Sequence, residues 1–510
     1  MLRENLTGAR EGGIHWGPPV PTPSDRKQRS ELQSIAHRVM LERGLAPDFS
    51  KAALDELAAI KAAPVAMSPS TRDLRGLPWC SIDNDDSRDL DQLTVAQPAP
   101  GGAVRLLVAV AEVAALVMKG SALDDHARQN TTSVYTAGAI FPMLPEKLST
   151  DLTSLGFGVE RLAVIFDMTF DADGAMTASD IYEGLVRNQA KLAYNSVAAW
   201  LDGRGPMPKP IGAVAGLDEN IRTQDRMAQK LRALRHMRGA LSLQTIQARP
   251  VFVGEMLQDL KPDESNVAKN LIEELMVAAN GVAARFLEAK RFPAVRRIVR
   301  TPAKWDRIVE LAAESGATLP GKPDGRALEQ FLLAAMKSDP VHFPDLSLCV
   351  IKLLGRGEYV IELPGGSAPG HFGLAVKDYA HSTAPNRRFP DLLIQRLLRA
   401  ARAGTPPPYG NDELIALARH CTEQEEAAKK VERQLVKSAA AMLLSSRIGD
   451  TFDAMATGVT ETGTWVRLFH PPVEGKLVKG YEGRKVGDRF RVRLMLADVE
   501  RGYIDFAAAG

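Results

Sequence analysis

Apolar residues at helical spacing open the readable part of the chain: Leu32, Ile35, Val39 and Leu41, then, after a turn across Gly44 to Ser50, Ala53, Leu54, Leu57 and Ile60. This pattern predicts a small two-helix module, which suits either a helix-turn-helix nucleic-acid binder or a plain packing appendage. Val104 to Val110 reads VRLLVAV, the signature of a strand covered on both faces. Longer helical periods follow over 270–289, 390–402 and 411–446, separated by mixed segments with Gly and Pro. From Thr451 the period falls to two, with strand-like segments over 451–458, 464–469, 475–478 and 489–496, four of the five short strands expected of a small barrel. The expected fold class is α+β and multidomain: an N-terminal arm and helical module over 1–70, a large α+β domain over 71–446, and an OB-like β-barrel over 447–510.

Composition narrows this picture. Gly12-Gly13, Pro18-Pro19, Pro21 and Pro23 disfavour regular structure, so residues 1 to about 26 read as an arm. With 45% hydrophobic and 25% charged residues, the 510-residue chain has the balance of a folded globular protein. A net charge of +2 excludes nucleic-acid binding through bulk charge, though not through a local basic channel. Cys80, Cys349 and Cys421 are widely spaced, which argues against a disulfide scaffold or a structural zinc site. No apolar run of membrane-spanning length and no signal-peptide core occurs, so a reduced, cytoplasmic setting without a membrane is expected.

In the C-terminal unit, Ile448-Gly-Asp-Thr-Phe452 and Val486-Gly-Asp-Arg-Phe490 each launch a strand from a Gly-Asp turn, and the pair resembles the S1-type OB-fold of RNA-binding proteins. Trp465, Arg467 and Phe469 alternate onto one face, and Arg489, Arg491 and Arg493 onto another. Aromatic and basic side chains there suit base stacking and phosphate contact, while barrel core and solvated arginines account for the same alternation. Trp465 and Arg467 are the RNA-binding candidates. Arg396, Arg399 and Arg402 recur every three residues on one predicted helix and, with Arg296, Arg297 and Arg300, form basic stripes that suit either an RNA path or a solvated face.

The densest chemistry is Ser81-Ile-Asp83-Asn-Asp-Asp86-Ser-Arg-Asp89-Leu-Asp91-Gln92, which places five aspartates within nine residues. Magnesium favours hard oxygen ligands and keeps several waters, so clustered Asp at loop spacing suits it; a solvated acidic loop fits the same residues. The string resembles the signature of the RNase II/RNase R (RNB) exoribonuclease family, whose usual form is close to IDxxxxxDLDD. Ser133-Val-Tyr135, Pro142-Met-Leu-Pro-Glu-Lys-Leu-Ser149, Ser154-Leu155, Lys191-Leu-Ala-Tyr194, Arg238-Gly-Ala-Leu241, Leu271-Ile-Glu-Glu-Leu275, Ala278-Ala-Asn280, His371-Phe-Gly-Leu-Ala375 and Pro385-Asn-Arg-Arg-Phe-Pro-Asp391 follow in the family's order.

The resemblance implies processive, magnesium-dependent hydrolysis of single-stranded RNA from its 3′ end to nucleoside 5′-monophosphates by a monomer, with manganese as a substitute metal. It implies Asp83, Asp89, Asp91 and Gln92 at the metal, and Asp91, Arg387, Tyr194 and Glu273 in catalysis. Tyr135, Tyr194, Glu273 and Arg388 would contact RNA. Three departures qualify this. Gln92 stands where the family has a fourth aspartate, Glu112 where a strand-end aspartate is usual, and Leu243 where a second clamping aromatic occurs. The first 70 residues read as helix rather than the two cold-shock-type barrels usual there, so RNA entry is expected to differ. A chain that keeps the fold and binds RNA, with catalysis weakened or lost through Gln92, is the alternative.

Overall fold

Val104–Ala111 lies at the middle of the main sheet, flanked on both sides by paired strands, and its residues from Leu106 onward are all buried. The computed structural model describes residues 27–65, 67–245, 248–262, 265–460 and 463–509; the arm expected over 1 to about 26 lies outside them. Seven strands build this sheet: β1 (Arg72–Asp73), β2 (Cys80–Asp83), β3 (Gln92–Pro98), β4 (Val104–Ala111), β7 (Glu160–Phe170), β8 (Met176–Arg187) and β9 (Ala190–Ala193). Their order is β1-β8-β7-β4-β3-β2-β9. Neighbours pair antiparallel except at the two edges, where β1 joins β8 and β9 joins β2 in parallel. β5 (Val134–Tyr135) and β6 (Ile140–Phe141) form a separate small hairpin.

Helices complete the core. α4 (Tyr194–Leu201), α5 (Lys209–Gly212) and α6 (Leu217–Met237) follow the sheet, and α7 (Val267–Ala289) crosses it, touching β2, β4, β7 and β8. Between α6 and α7 runs the hairpin of β10 (Ala248–Val253) and β11 (Met256–Pro262). β12 (Ala294–Val299) and β13 (Gly357–Glu362) form another antiparallel pair. Between them, α8 (Trp305–Glu314), α9 (Gly325–Ser338) and α10 (Phe343–Leu354) enclose a small core of their own around Trp305, Phe331 and Phe343. Leu243 packs against that core.

α1 (Gln28–Glu42) and α2 (Lys51–Ala59) form where the spacing predicts them. Ser50 caps α2 by accepting from the Ala53 N–H at 3.2 Å. Leu32, Ile35, Ala36, Val39 and Met40 of α1 are buried against Val431 and Leu435 of α12 (Asn411–Leu444), while α2 packs on α3 (Ala122–Asn130). The two helices are thus spent on packing against different elements. Leu41 and Leu54, counted in the apolar period, are 57% and 48% exposed.

α11 (Phe389–Ala403) leaves Arg399 of the expected basic stripe exposed and Arg402 half-buried, but turns Arg396 inward. That side chain is buried, paired with Asp124 at 2.7 Å and bonded to the Tyr409 hydroxyl and the Val117 carbonyl. Arg296 and Arg297 are likewise buried, the first paired with Glu362, the second bidentate with Glu425 of α12. A guanidinium forms a fork that can satisfy several acceptors at once, which suits it to buried pairing.

β14 (Thr451–Thr460), β15 (Gly463–Leu468), β16 (Glu474–Lys479), β17 (Arg489–Asp498) and β18 (Tyr503–Ala508) close into a barrel. β18 is the strand whose position the period-two reading did not locate. Gly502, at φ +67°, lets the β17–β18 turn come against α12, where an added Cβ would sit 3.0 Å from the Gln434 carbonyl oxygen. Among the described residues no helix is long and apolar enough to cross a membrane.

Candidate active site

Parallel pairing brings the first two site residues together. Asp83 ends β2 in register with Ala193 of β9, and Tyr194, the next residue, begins α4. The chain then loops from Asn84 to Asp91 before entering β3. Ser154 fixes that loop: its hydroxyl donates to the Arg88 carbonyl at 2.7 Å and accepts from the Leu90 N–H at 3.1 Å. Asp89 is thereby held beside the β5 edge, where the Tyr135 hydroxyl donates to it at 3.4 Å.

Asp91 is 3% exposed. One carboxylate oxygen accepts from the Asn386 N–H at 3.1 Å; the other has no hydrogen-bond partner and lies 3.7 Å from Nε of Arg387. Burial pushes the carboxyl up to about 8, against the opposing pull of Arg387. Burial also raises Asp83, with the Asn84 N–H and Arg387 pulling the other way. The Tyr194 phenol is raised by burial and by the nearby Asp83 charge, so it remains a hydrogen-bond donor at neutral pH. Asp83, Asp91, Tyr135 and Tyr194 thus all lie within electrostatic reach of one guanidinium.

Arg387 belongs to a segment whose backbone is tied down almost residue by residue. Asn280 Oδ1 accepts from Ser382 N at 2.7 Å, Gln92 Nε2 donates to the Thr383 carbonyl, and Asp391 Oδ1 accepts from Ala384 N at 2.8 Å. Asp91 takes Asn386 N, and the Arg387 carbonyl accepts from Ser133 N at 3.0 Å. Arg388 pairs with the fully buried Asp391 at 2.7 Å. Behind it, the Tyr359 hydroxyl bonds to His381, whose ring packs edge-on against Tyr379; burial holds His381 neutral, in a structural role.

The sequence reading gave no role to Asn280, Asn386 or Asp391. Their signal was present: an asparagine inside the apolar stretch Val277–Ala284 of α7 must find a partner, because an unsatisfied buried amide is costly.

Other expected residues lie elsewhere. Glu273 projects from α7 as a half-exposed carboxylate 3.5 Å from Arg235, within reach of Tyr379 but in no contact with the aspartates. Glu112 is buried at the end of β4 with neither oxygen hydrogen-bonded, near Arg399 and Arg402 rather than Arg387. Trp465 is half-buried on the outer face of β15. Arg467, on the same face, is bidentate to the buried Asp345 of α10, at 2.8 and 2.9 Å, so its guanidinium joins barrel to helix rather than standing free for a phosphate.

The donor chemistry fits a hard divalent cation. Asp83, Asp89 and Asp91 offer carboxylate oxygens, and the Asp91 oxygen without a hydrogen bond is a buried acceptor that a cation would satisfy. Among the described residues no group of three His, Cys, Asp or Glu side chains is arranged to hold a metal ion by itself, so a cation here would need waters or substrate oxygens to complete its shell. Beside the aspartates, Asn84, Asp85, Asp86, Tyr194, Asn195 and Arg249 line an open pocket of about 340 Å³.

Comparison with known proteins identifies the family of the chain. Residues 71–404 match the RNB domain, and 450–509 match the RNase II-type exonuclease C-terminal S1 domain. Ribonuclease R of Escherichia coli (strain K12) is 30% identical over 472 residues, covering 85% of this chain and 57% of the relative. The chain therefore spans little more than half of that protein. Mycoplasma genitalium RNase R, solved with ribose methylated single-stranded RNA, superposes with a TM-score of 0.83 at 22% identity, covering 94% of this chain and 78% of the other. Yeast Ssd1, described as a pseudonuclease, superposes with a TM-score of 0.69 at 16% identity, covering 87% of this chain and 55% of the other. With the RNB match spanning most of its length and an S1 barrel behind it, the chain belongs to the RNase II/RNase R (RNB) family.

Proposed function

We propose that this chain is a 3′-to-5′ exoribonuclease that hydrolyses single-stranded RNA to nucleoside 5′-monophosphates with magnesium, manganese serving as a substitute. The observation that carries the reading is the buried, unpartnered oxygen of Asp91 beside Arg387, with Asp83 and Asp89 on the adjoining loop. Membership of the RNB family and the names of its relatives support RNA as the substrate.

Asp83, Asp89 and Asp91 would hold a divalent cation, which would supply Lewis acidity toward a phosphate oxygen and lower the pKa of water. The chain's own residues do the rest. Arg387, anchored through its carbonyl and 42% exposed at its side chain, reaches a non-bridging phosphate oxygen and stabilises the charge that grows in the transition state. Tyr194 stays protonated and donates to the terminal nucleotide. Glu273 accepts from a ribose hydroxyl, the contact that would separate RNA from DNA. Tyr135, steadied by Asp89, offers a ring for stacking farther from the end. Arg388, whose charge is paired with the buried Asp391, helps tie down the turn that carries Arg387.

The test is digestion of 5′-labelled single-stranded RNA with magnesium, wild type beside Asp91→Asn. A ladder shrinking from the 3′ end, lost with EDTA and with the substitution, supports the reading. The second reading, an RNA-binding protein without efficient catalysis, draws on Gln92 at the fourth ligand position and on the likeness to a pseudonuclease fold. RNA that is bound but left intact by wild type would favour it.

A further inference from the structure

Gln92 occupies the position that the family resemblance assigns to a metal ligand, yet its side chain is engaged elsewhere. Its amide nitrogen donates to the main-chain carbonyl of Thr383, 291 residues away. The neighbouring Asp91 accepts from Asn386 N. Two consecutive residues at the start of β3 therefore hold both ends of the short turn that delivers Arg387, one as donor and one as acceptor. The polarity matters. A carboxylate in place of the Gln92 amide would set one acceptor against another, whereas glutamine satisfies a carbonyl in a segment whose residues are buried from Ser382 to Asn386. The aspartate usual in the family is also shorter by one methylene and has no N–H to offer.

We infer that Gln92 is a positioning residue that fixes the Arg387 segment, and that this chain has exchanged a fourth metal ligand for a clamp on its phosphate-gripping arginine. The site then rests on Asp83, Asp89 and Asp91 for the cation, with Gln92 acting through Thr383 on where the guanidinium sits. The inference builds on the exoribonuclease reading, but its first readout is independent of catalysis.

The measurement is amide hydrogen exchange over 382–388 in metal-free protein, comparing wild type with Gln92→Met, which keeps length and shape, and Gln92→Glu, which keeps shape and lacks the donor. The clamp predicts about tenfold faster exchange in this segment for both variants, as loss of one hydrogen bond implies. Magnesium titration by calorimetry supplies the other arm: Gln92→Met should bind the ion within about twofold of wild type, since a residue that is not a ligand costs little when replaced. Unchanged exchange in metal-free protein, together with a magnesium affinity at least about tenfold weaker in Gln92→Met, would make Gln92 a ligand and overturn the inference. The exoribonuclease reading stands or falls separately, on the Asp91→Asn digestion.

Discussion

The free carboxylate oxygen of Asp91 and Nε of Arg387 approach to 3.7 Å without a hydrogen bond between them. The two charges are close enough to feel each other, yet no hydrogen bond between them ties up the guanidinium, which is left to meet a phosphate oxygen. Replacing Arg387 by Lys keeps the charge but removes the planar fork, so kcat should fall by about 10²-fold with RNA affinity little changed. Single-turnover digestion beside a binding titration in EDTA checks this; equal losses in both would make Arg387 a general RNA contact instead.

Without metal, Asp91 and Glu112 give the protein a pH dependence of defined sign. Both carboxyls titrate higher in the fold than in the unfolded chain, Asp91 at about 8 and Glu112 at about 7. Their contribution to stability is complete below the unfolded values near 4 and is lost as pH rises through 7 to 8. The melting temperature in EDTA should therefore drop between pH 5.5 and pH 8.5, with a smaller drop in Asp91→Asn. Magnesium should offset the Asp91 part and bind more tightly as pH rises, because it displaces a proton. A wild type and variant with identical pH profiles in EDTA would contradict this.

Arg467 and Asp345 join the barrel to α10 through a pair that is nearly buried. Arg467→Met leaves the Asp345 carboxyl without its counter-charge and should cost about 3 kcal/mol or more, whereas changing both residues to apolar ones should recover most of the loss. Calorimetric unfolding of the three variants measures it; an additive double variant would show that the two side chains do not depend on one another.

At the N-terminal end, Val39 is wholly buried against α12. Val39→Ala should destabilise the protein by about 1 to 2 kcal/mol, and Ile35→Asp by considerably more, since it buries a charge. Denaturant unfolding reads both. If these variants instead left stability untouched and weakened RNA binding, α1 would be a recognition helix.

What could be read from the sequence follows the range of the interactions. The nearly all-apolar run Val104–Ala111, the helical periods and the alternation of four barrel strands are local patterns, and each led to the right element. The aspartate string was visible because five carboxylates lie close in sequence. Partners separated by more than a hundred residues were not visible: Arg396 and Asp124 are one pair, Arg467 and Asp345 another, and in each case a surface-looking arginine turned out to be structural. Periodicity assigns a face but not the charge waiting on the other side. Gln92 shows the same limit, because an amide in a run of acids looks like a missing ligand until its carbonyl partner appears from the far end of the domain.

α12 meets the main core through Leu414, Leu417 and Cys421, the α1 core through Val431 and Leu435, and the barrel through Ala441 and Leu444. A helix of 34 residues is about 50 Å long, so it behaves as a lever pinned at one end and loaded at the other. A bend of roughly 5° at its middle would carry the barrel about 2 Å sideways. The distance between the barrel and the aspartates therefore depends on the straightness of that helix as well as on the Arg467–Asp345 tie, and any residue that changes its curvature acts on the site from afar.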